Sequence, residues 1–414
     1  MRQSKLFGKT RRDISKDEKS INAELLTRGG FIEKHIAGVY NYLPLGLRVF
    51  RKIENIIREE MDAIDGQEML MTALQPKDLW EKTGRWSELA DIMYQFEDGH
   101  GSEVGLATTH EEVVTTLAKQ QIKSYKDLPI YIYQIQDKFR NEKRAKSGLL
   151  RGREFSMKDL YSFHTNEADL DDYYMKAHEA YLKIFKRLGL KAFSVEASGG
   201  AMSKHNSHEF MVKTTAGEDT TILCSACGWA QNKEIAKEKA GDKCPKCGKK
   251  LEEAKTVEAG NIFRLGNKYS KDMGLKFTDQ NGKQQEVLMG SYGIGLGRVM
   301  GTIVEASHDQ DGIIWTKAST PYHLHLLNLA KDDKRKAETE ALYADLKQAG
   351  FDVLYDDRDI SFGKKLKDSD LMGICLQVIV SDKQKKIEFK IRAEKENKLL
   401  SKKAVISEIK KYYN

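Results

Sequence analysis

Apolar positions recur at helical spacing through LRVFRKIENIIREEMDAI, where Leu47, Phe50, Ile53, Ile57, Met61 and Ile64 form one stripe and charges fill the rest. That period predicts an amphipathic helix over 47–64, ended by Gly66, with QEMLMTA as a strand after it. YIYQIQDKF (131–139) and REFSMKDLYSFH (153–164) read as strands, and the basic loop NEKRAKSGLLRG between them predicts an antiparallel hairpin. A long helix follows over 168–188, with Leu170, Tyr174, Ala177, Tyr181, Ile184 and Leu188 on its inner face. KQQEVLMGS reads as a strand that runs into the glycine-rich YGIGLGRVMGTIVE, and Thr320-Pro321 as a hinge. Beyond it HLHLLNL, KAETEALYADLKQAG, FDVLY and CLQVIV alternate strand and helix. This pattern predicts a small α/β domain with a mostly parallel sheet.

With 414 residues the chain has room for two or three domains, at ~150 residues each. No window nears the ~18 uncharged apolar residues of a membrane span, which excludes a spanning helix. The N-terminal stretch MRQSKLFGKTRRDISKDEKS is basic but lacks an apolar core, so it does not read as a secretory signal, and a cytoplasmic location is expected. The net charge of +7 is unevenly placed: Lys383–Lys411 alone holds eleven Lys/Arg against four Glu, a surface that attracts polyanions or simply faces water. Gly8-Lys9-Thr10 lacks the upstream glycine of a phosphate loop, and the glycines at 290, 293, 295 and 297 do not fit a dinucleotide fingerprint.

Three constellations carry chemistry. Arg140 and Arg151 flank the hairpin loop, where two guanidiniums on rigid strands can grip a polyphosphate; Phe155 offers a face to a base, and Glu142 an acceptor to an exocyclic amine. In GSYGIGLGRVMG the glycines admit close backbone approach, and Arg298 stands one turn into a helix, within reach of a terminal phosphate. Cys224-x-x-Cys227 and Cys244-x-x-Cys247, each followed by glycine, have the spacing of two knuckles closing a tetrahedral S₄ site. With no open ligand position, such a site is a structural Zn²⁺ site. Cys375, in an apolar stretch, reads as a small buried residue.

In order along the chain, the arginine hairpin and the Gly-Arg segment resemble motifs 2 and 3 of class II aminoacyl-tRNA synthetases. TRGGFIEKHIAGVYNYLPLGLRV, LWEKTGRW, TTHEEVVT, FRNEKRAKSGLLRGREFSMKDLYSFH, SHEFMV, MGSYGIGLGR and DVLYDDRDISFGKKLKDSDLMGI narrow the resemblance to the bacterial-type prolyl-tRNA synthetases. The resemblance implies an α+β fold, with an antiparallel catalytic sheet flanked by helices over 1–319 and an anticodon-binding α/β domain over 320–414, and the cysteine spacing puts a zinc ribbon within the first at about 222–252. It implies activation of L-proline by ATP with Mg²⁺ to prolyl-adenylate, transfer to tRNA-Pro, and a homodimer. Arg140 then holds the α-phosphate and lies near the proline carboxylate, Arg151 and Arg298 hold the γ-phosphate, Phe155 stacks on adenine, and Thr109 and Glu111 hold the imino group. Glu218 is a candidate Mg²⁺ ligand. Such a site works by positioning and electrostatics rather than by a nucleophile.

The chain departs from the family at Thr72, Thr108 and Cys375, where proline is usual, in keeping with only five prolines overall. Only 125 residues separate His164 from Gly290, too few for the editing domain many bacterial members carry there, so mischarged Ala-tRNA-Pro is expected to go uncorrected in cis. Three rivals stand at this level: an inactive tRNA-binding paralogue, a synthetase for another amino acid, and a ligase charging a carrier protein. The lysines of the ribbon leave two roles open, packing alone or contact with the tRNA acceptor end.

Overall fold

A computed structural model describes residues 1–13, 20–145 and 147–414. Residues 14–19 of the basic N-terminal stretch and Lys146 of the arginine loop lie outside the described residues. Two compact units emerge. One comprises Ile36–Val39 and Glu54–Thr302; the other comprises Met1–His35, Tyr40–Ile53 and Ile303–Asn414.

The first unit is built on one sheet of nine strands: β1 (Gln67–Glu68), β2 (Ile130–Phe139), β3 (Glu154–His164), β4 (Ala192–Ala197), β5 (Ser207–Lys213), β6 (Asp219–Leu223), β7 (Ala230–Asn232), β8 (Glu252–Gly266) and β9 (Leu288–Gly295). Their order is β5-β4-β7-β6-β8-β9-β3-β2-β1, with a further β5–β8 pairing. All neighbours are antiparallel except β4–β7 and β1–β2. The expected hairpin is present, with β2 and β3 in register from Ile130↔Phe163 to Phe139↔Glu154. Helix Glu167–Arg187 lays its predicted stripe on the sheet, and Leu170, Tyr174, Ala177, Tyr181, Ile184 and Leu188 are all buried.

The strand expected over QEMLMTA is corrected: only Gln67 and Glu68 pair as strand. Met69 N still donates to Tyr133 O at 2.8 Å, but at Met71 side chains take over, Met71 N donating to Gln134 Oε1 at 3.0 Å and Gln136 Nε2 to Met71 O at 2.9 Å. In helix Pro44–Asp62, Leu47 is exposed, and Val49 with Ile53 and Ile57 takes the inner face. The strand expected from KQQEVLMGS is split into Gln284–Glu286 and β9.

The second unit carries the expected α/β pattern. Strands β10 (Leu324–Leu329), β11 (Val353–Asp356), β12 (Leu376–Ser381), β13 (Ile387–Ile391) and β14 (Asn397–Leu400) lie in the order β11-β10-β12-β13-β14. The first three are mutually parallel and the last two antiparallel. Residues 1–3 extend this sheet at β11: Tyr355 N donates to Met1 O at 2.9 Å, and Gln3 Oε1 lies 2.8 Å from the buried His325 Nε2. No local pattern announced that pairing across more than 300 residues of sequence. Thr320 and Pro321 are buried, and Thr320 Oγ1 donates to Tyr322 O at 3.0 Å, which makes the expected hinge a fixed corner.

Candidate active site and cysteine centre

A cavity of ≈ 360 Å³ opens on the nine-stranded sheet where β2, β3, β8 and β9 lie side by side. Thr109, Glu111, Arg140, Glu142, Arg151, Phe155 and Arg298 all line it, so the tertiary fold brings together every candidate substrate and nucleotide residue.

At one end sits the Glu111 carboxylate, in the first turn of helix Glu111–Gln121 and 1% exposed. It accepts from Thr109 Oγ1 at 2.6 Å, Ser291 Oγ at 3.2 Å and Arg85 Nη1 at 3.3 Å. Arg85 also bonds both oxygens of Glu112, at 3.0 and 3.1 Å, and its guanidinium lies 5.2 Å from the Trp80 ring and 5.4 Å from Tyr269. Burial works against that guanidinium's charge, but Glu112 and Glu111 outweigh it and raise its proton affinity. Burial and its neighbour Glu111 push the Glu112 carboxyl up, against the pull of Arg85. Below, Asp159 accepts from Lys138 Nζ at 2.7 Å, Gln134 Nε2 at 3.0 Å and Tyr161 OH at 2.9 Å, and Tyr161 OH accepts from His110 N at 3.1 Å. This scaffold aims the Thr109–Glu111 turn. Burial, reinforced by Lys138, lowers the His110 imidazole to about 4, so it is neutral at pH 7.

At the other end three guanidiniums converge. Arg140 directly follows β2, donates from Nε and Nη2 to Thr108 O at 3.3 Å, and lies 5.2 Å from the Phe155 ring. Among the described residues no carboxylate lies within ion-pair distance of it. Burial and nearby Arg298 lower its proton affinity, yet arginine keeps its charge. Arg151 pairs with Glu142 and Glu218, each at 3.0 Å. Arg298, on the expected helix but within its first turn (Leu296–Ala306), donates to Leu150 O at 2.9 Å and Glu258 Oε2 at 2.8 Å. Between them the backbone leaves room: a Cβ on Gly293 would find Met157 Sδ at 3.7 Å as its nearest neighbour.

Glu258, Asn261, Glu209 and Asp219 were missed by sequence reasoning. Glu258 and Asn261 line the cavity, and the buried Asn261 Oδ1 has no hydrogen-bond partner. Burial and Glu258 push the Glu209 carboxyl up to about 8, and the same two causes raise Asp219. Crowded acids with an unpaired amide oxygen are what a hard divalent cation takes as ligands. The acids within SHEFMV and TVEAGN were a readable signal, but their convergence was not.

Beyond β6 the chain makes its two knuckles. Gly228 N donates to Cys224 O and Gly248 N to Cys244 O, with φ of +77° and +73° at the glycines, a backbone region glycine enters without steric cost. All four Sγ atoms lie within 4.8 Å of one another, with Cys224–Cys247 at 3.5 Å and Cys227–Cys244 at 3.6 Å. Four thiolates at ~2.3 Å from one ion stand about 3.8 Å apart, so the set fits tetrahedral Zn²⁺.

A family model for the class II tRNA synthetase core domain (G, H, P, S and T) matches residues 94–307, and one for an anticodon binding domain matches 324–412. The chain is 34% identical to a proline–tRNA ligase of Desulforamulus reducens, over 92% of this chain and 94% of the relative. It is 33% identical to that of Geotalea daltonii, over 100% and 99%. The first of these alignments runs over 533 residues against the chain's 414, so the relative carries a sizeable segment with no counterpart here. Among solved structures, a Cryptosporidium parvum prolyl-tRNA synthetase with halofuginone and AMPPNP superposes with a TM-score of 0.78 at 17% identity, covering 95% of this chain and 76% of that one. A Giardia lamblia enzyme with prolyl-adenylate gives 0.78 at 16%, covering 95% and 79%.

Proposed function

The chain belongs to the proline–tRNA ligases, class II aminoacyl-tRNA synthetases, and on that footing we propose how its own residues carry the reaction. The enzyme joins L-proline to ATP as prolyl-adenylate and then transfers the prolyl group to tRNA-Pro. One observation carries the residue assignment: a buried carboxylate and an arginine free of any carboxylate face one cavity. Glu111, backed by Thr109, takes the cationic imino nitrogen of proline. Arg140 takes the opposite charge, the proline carboxylate and the α-phosphate that this carboxylate attacks. A carboxylate oxygen bonds to the α-phosphorus as pyrophosphate leaves, and a preorganised guanidinium stabilises charge built up there. Phe155 is the adenine platform, with Glu142 beside it, and Arg151 and Arg298 take the outer phosphates.

Mg²⁺ fits the acidic wall, where Glu258 and Asn261, with Glu209 and Asp219 behind, would hold it and neutralise phosphate charge. Glu218, already paired with Arg151, is a weaker candidate. The Cys224–Cys227–Cys244–Cys247 set holds structural Zn²⁺. The exposed Leu70 and Leu74, which flank Thr72 in sequence just after the outermost strand β1, support a homodimer. We assign 1–319 to catalysis and 320–414 to the anticodon, and a cytoplasmic location follows from the role in protein synthesis. No helix among the described residues is long and apolar enough to cross a membrane.

Between His164 and Gly290 the chain is spent on one helix, five strands of the main sheet, the ribbon, and the short elements that lead into β9. Alanine, smaller than proline, is rejected by an apolar pocket only by about 1–3 kcal/mol, so Ala-tRNA-Pro forms and persists in cis. ATP–pyrophosphate exchange with proline, alanine and threonine in parallel tests this. Proline should drive it best and alanine weakly, and Ala-tRNA-Pro should survive incubation with the enzyme. Exchange independent of proline defeats the reading; rapid deacylation defeats only its last step.

A further inference from the structure

The ribbon lies on a direct line from the nucleotide end of the cavity. Glu218, which bonds Arg151, immediately precedes β6, and β6 pairs with β8 from Asp219↔Thr256 to Leu223↔Glu252. Five residues of strand, Asp219–Leu223, separate that arginine's partner from the first knuckle at Cys224, a rise of ~20 Å at about 3.4 Å per residue. The cavity receives the 3′ end of a tRNA under the function proposed above, and this inference rests on that reading. The few unpaired nucleotides at that end span a comparable distance, so the first phosphates of the acceptor stem come to the level of the ribbon.

The chemistry facing them is cationic. Lys233, Lys237, Lys239, Lys243, Lys246, Lys249 and Lys250 are all exposed. Among the described residues only Lys233 has an ion-pair partner, Glu253 at 3.0 Å. Asp242, one of the four acids of the ribbon, is occupied in accepting from Lys239 N at 2.8 Å. The second knuckle is the densest part: Lys243 and Lys250 are bridged across it, Lys246 and Lys249 lie between, and the eight residues hold no acid. A Zn²⁺ with four thiolates carries a formal charge of −2, and these four lysines exceed it. Their surplus is arranged on a rigid, metal-closed turn with the side chains free.

We propose that the second knuckle, Lys243–Lys250, is a contact surface for acceptor-stem phosphates of tRNA. It recognises charge and shape, and carries no base reading. By holding the stem it delivers the 3′ end to the adenylate, so it acts on the transfer step and leaves amino-acid activation untouched.

The test uses the full chain with Lys243, Lys246, Lys249 and Lys250 all replaced by Gln. Three quantities are read: proline-dependent ATP–pyrophosphate exchange, bound zinc, and kcat/KM for tRNA aminoacylation at rising salt. Exchange and zinc should match the parent. The kcat/KM for tRNA should fall about tenfold near 0.1 M salt, with a log–log salt slope shallower by about two to three, since each lost phosphate contact removes somewhat less than one. An unchanged slope and kcat/KM overturns the proposal. Loss of zinc or of exchange in the variant also overturns it, because the lysines then serve the thiolate cluster or the fold. A parent enzyme whose exchange ignores proline defeats the functional reading instead, and the two failures are read in separate assays.

Discussion

The two ends of the cavity are built on opposite plans. At the amino-acid end a carboxylate is the working group, and it is fixed in place: Thr109, Ser291 and Arg85 all donate to Glu111 and leave it room for one more donor. At the nucleotide end guanidiniums are the working groups, and they are divided. Among the described residues Arg140 bonds only a backbone carbonyl, while Arg151 and Arg298 are held by Glu142, Glu218 and Glu258. The difference teaches what each end must do. A small imino acid is selected by a site fixed beforehand, whose groups lose little freedom on binding. A triphosphate can displace carboxylates from arginines, and the freed acids then have a cation to hold.

The sharpest break in this comparison comes from Arg140→Ala. Loss of a preorganised donor to developing charge typically costs 10²–10³-fold in kcat, and proline-dependent exchange should fall by about that factor. A fall of less than tenfold would mean that Arg151 and Arg298 share the load, and the two ends would differ less than stated. Arg85→Met comes next. Glu111 and Glu112 would face each other in the same buried pocket without their cation, and KM for proline should rise about 10- to 100-fold while KM for ATP changes little, because only part of the ~3–5 kcal/mol that a broken buried ion pair costs the fold reaches the substrate. Adding Glu112→Gln should recover much of that KM, and no recovery would reduce Arg85 to a folding role.

Outside the cavity, Cys244→Ser should release the metal and lower the melting temperature by about 5 °C or more, as binding free energy of a structural ion is folding free energy. Intact metal stoichiometry in that variant contradicts the four-thiolate assignment. The smallest effect concerns Glu209. Its carboxyl, pushed up to about 8 in the fold, keeps its proton in the folded state between pH 4.5 and 8 while the unfolded chain releases it. Stability in Mg²⁺-free buffer therefore falls as pH rises through that window. Glu209→Gln should flatten the melting-temperature profile there, by a few degrees at pH 8 (~2–4 °C per kcal/mol). A profile of unchanged steepness would show that the acidic wall is not held short of a cation.

Much of this was legible in the chain itself. The hairpin β2–β3 was readable because its alternation and basic loop are local, and the buried stripe of helix Glu167–Arg187 because a 3.6-residue period is local too. Arg85 stood in plain sight within LWEKTGRW, but its partners lie 26 and 27 residues away. The readable hint was the pair Glu111-Glu112 opening a helix, two adjacent acids that need a cation once buried. The inner-face phase of helix Pro44–Asp62 was misjudged at Leu47, where hydrophobicity alone cannot say which side of a stripe meets the core. The truncated strand at Gln67–Glu68 was unreadable because side chains of Gln134 and Gln136 replace the ladder.

By itself, then, the sequence determined which chemical groups are present and in what order: three arginines, a Thr-x-Glu turn, paired cysteine knuckles, and a β-α-β run beyond them. Spacing within a few residues settles these matters, because a turn, a knuckle or a helix face is closed by near neighbours. Only the tertiary structure decided which arginine is left free, which acids gather behind Arg298, and that residues 1–3 extend the sheet at β11. Those outcomes depend on burial and on pairings across tens to hundreds of residues. Desolvation and charge act through space, and a linear order of residues does not state who will be near whom.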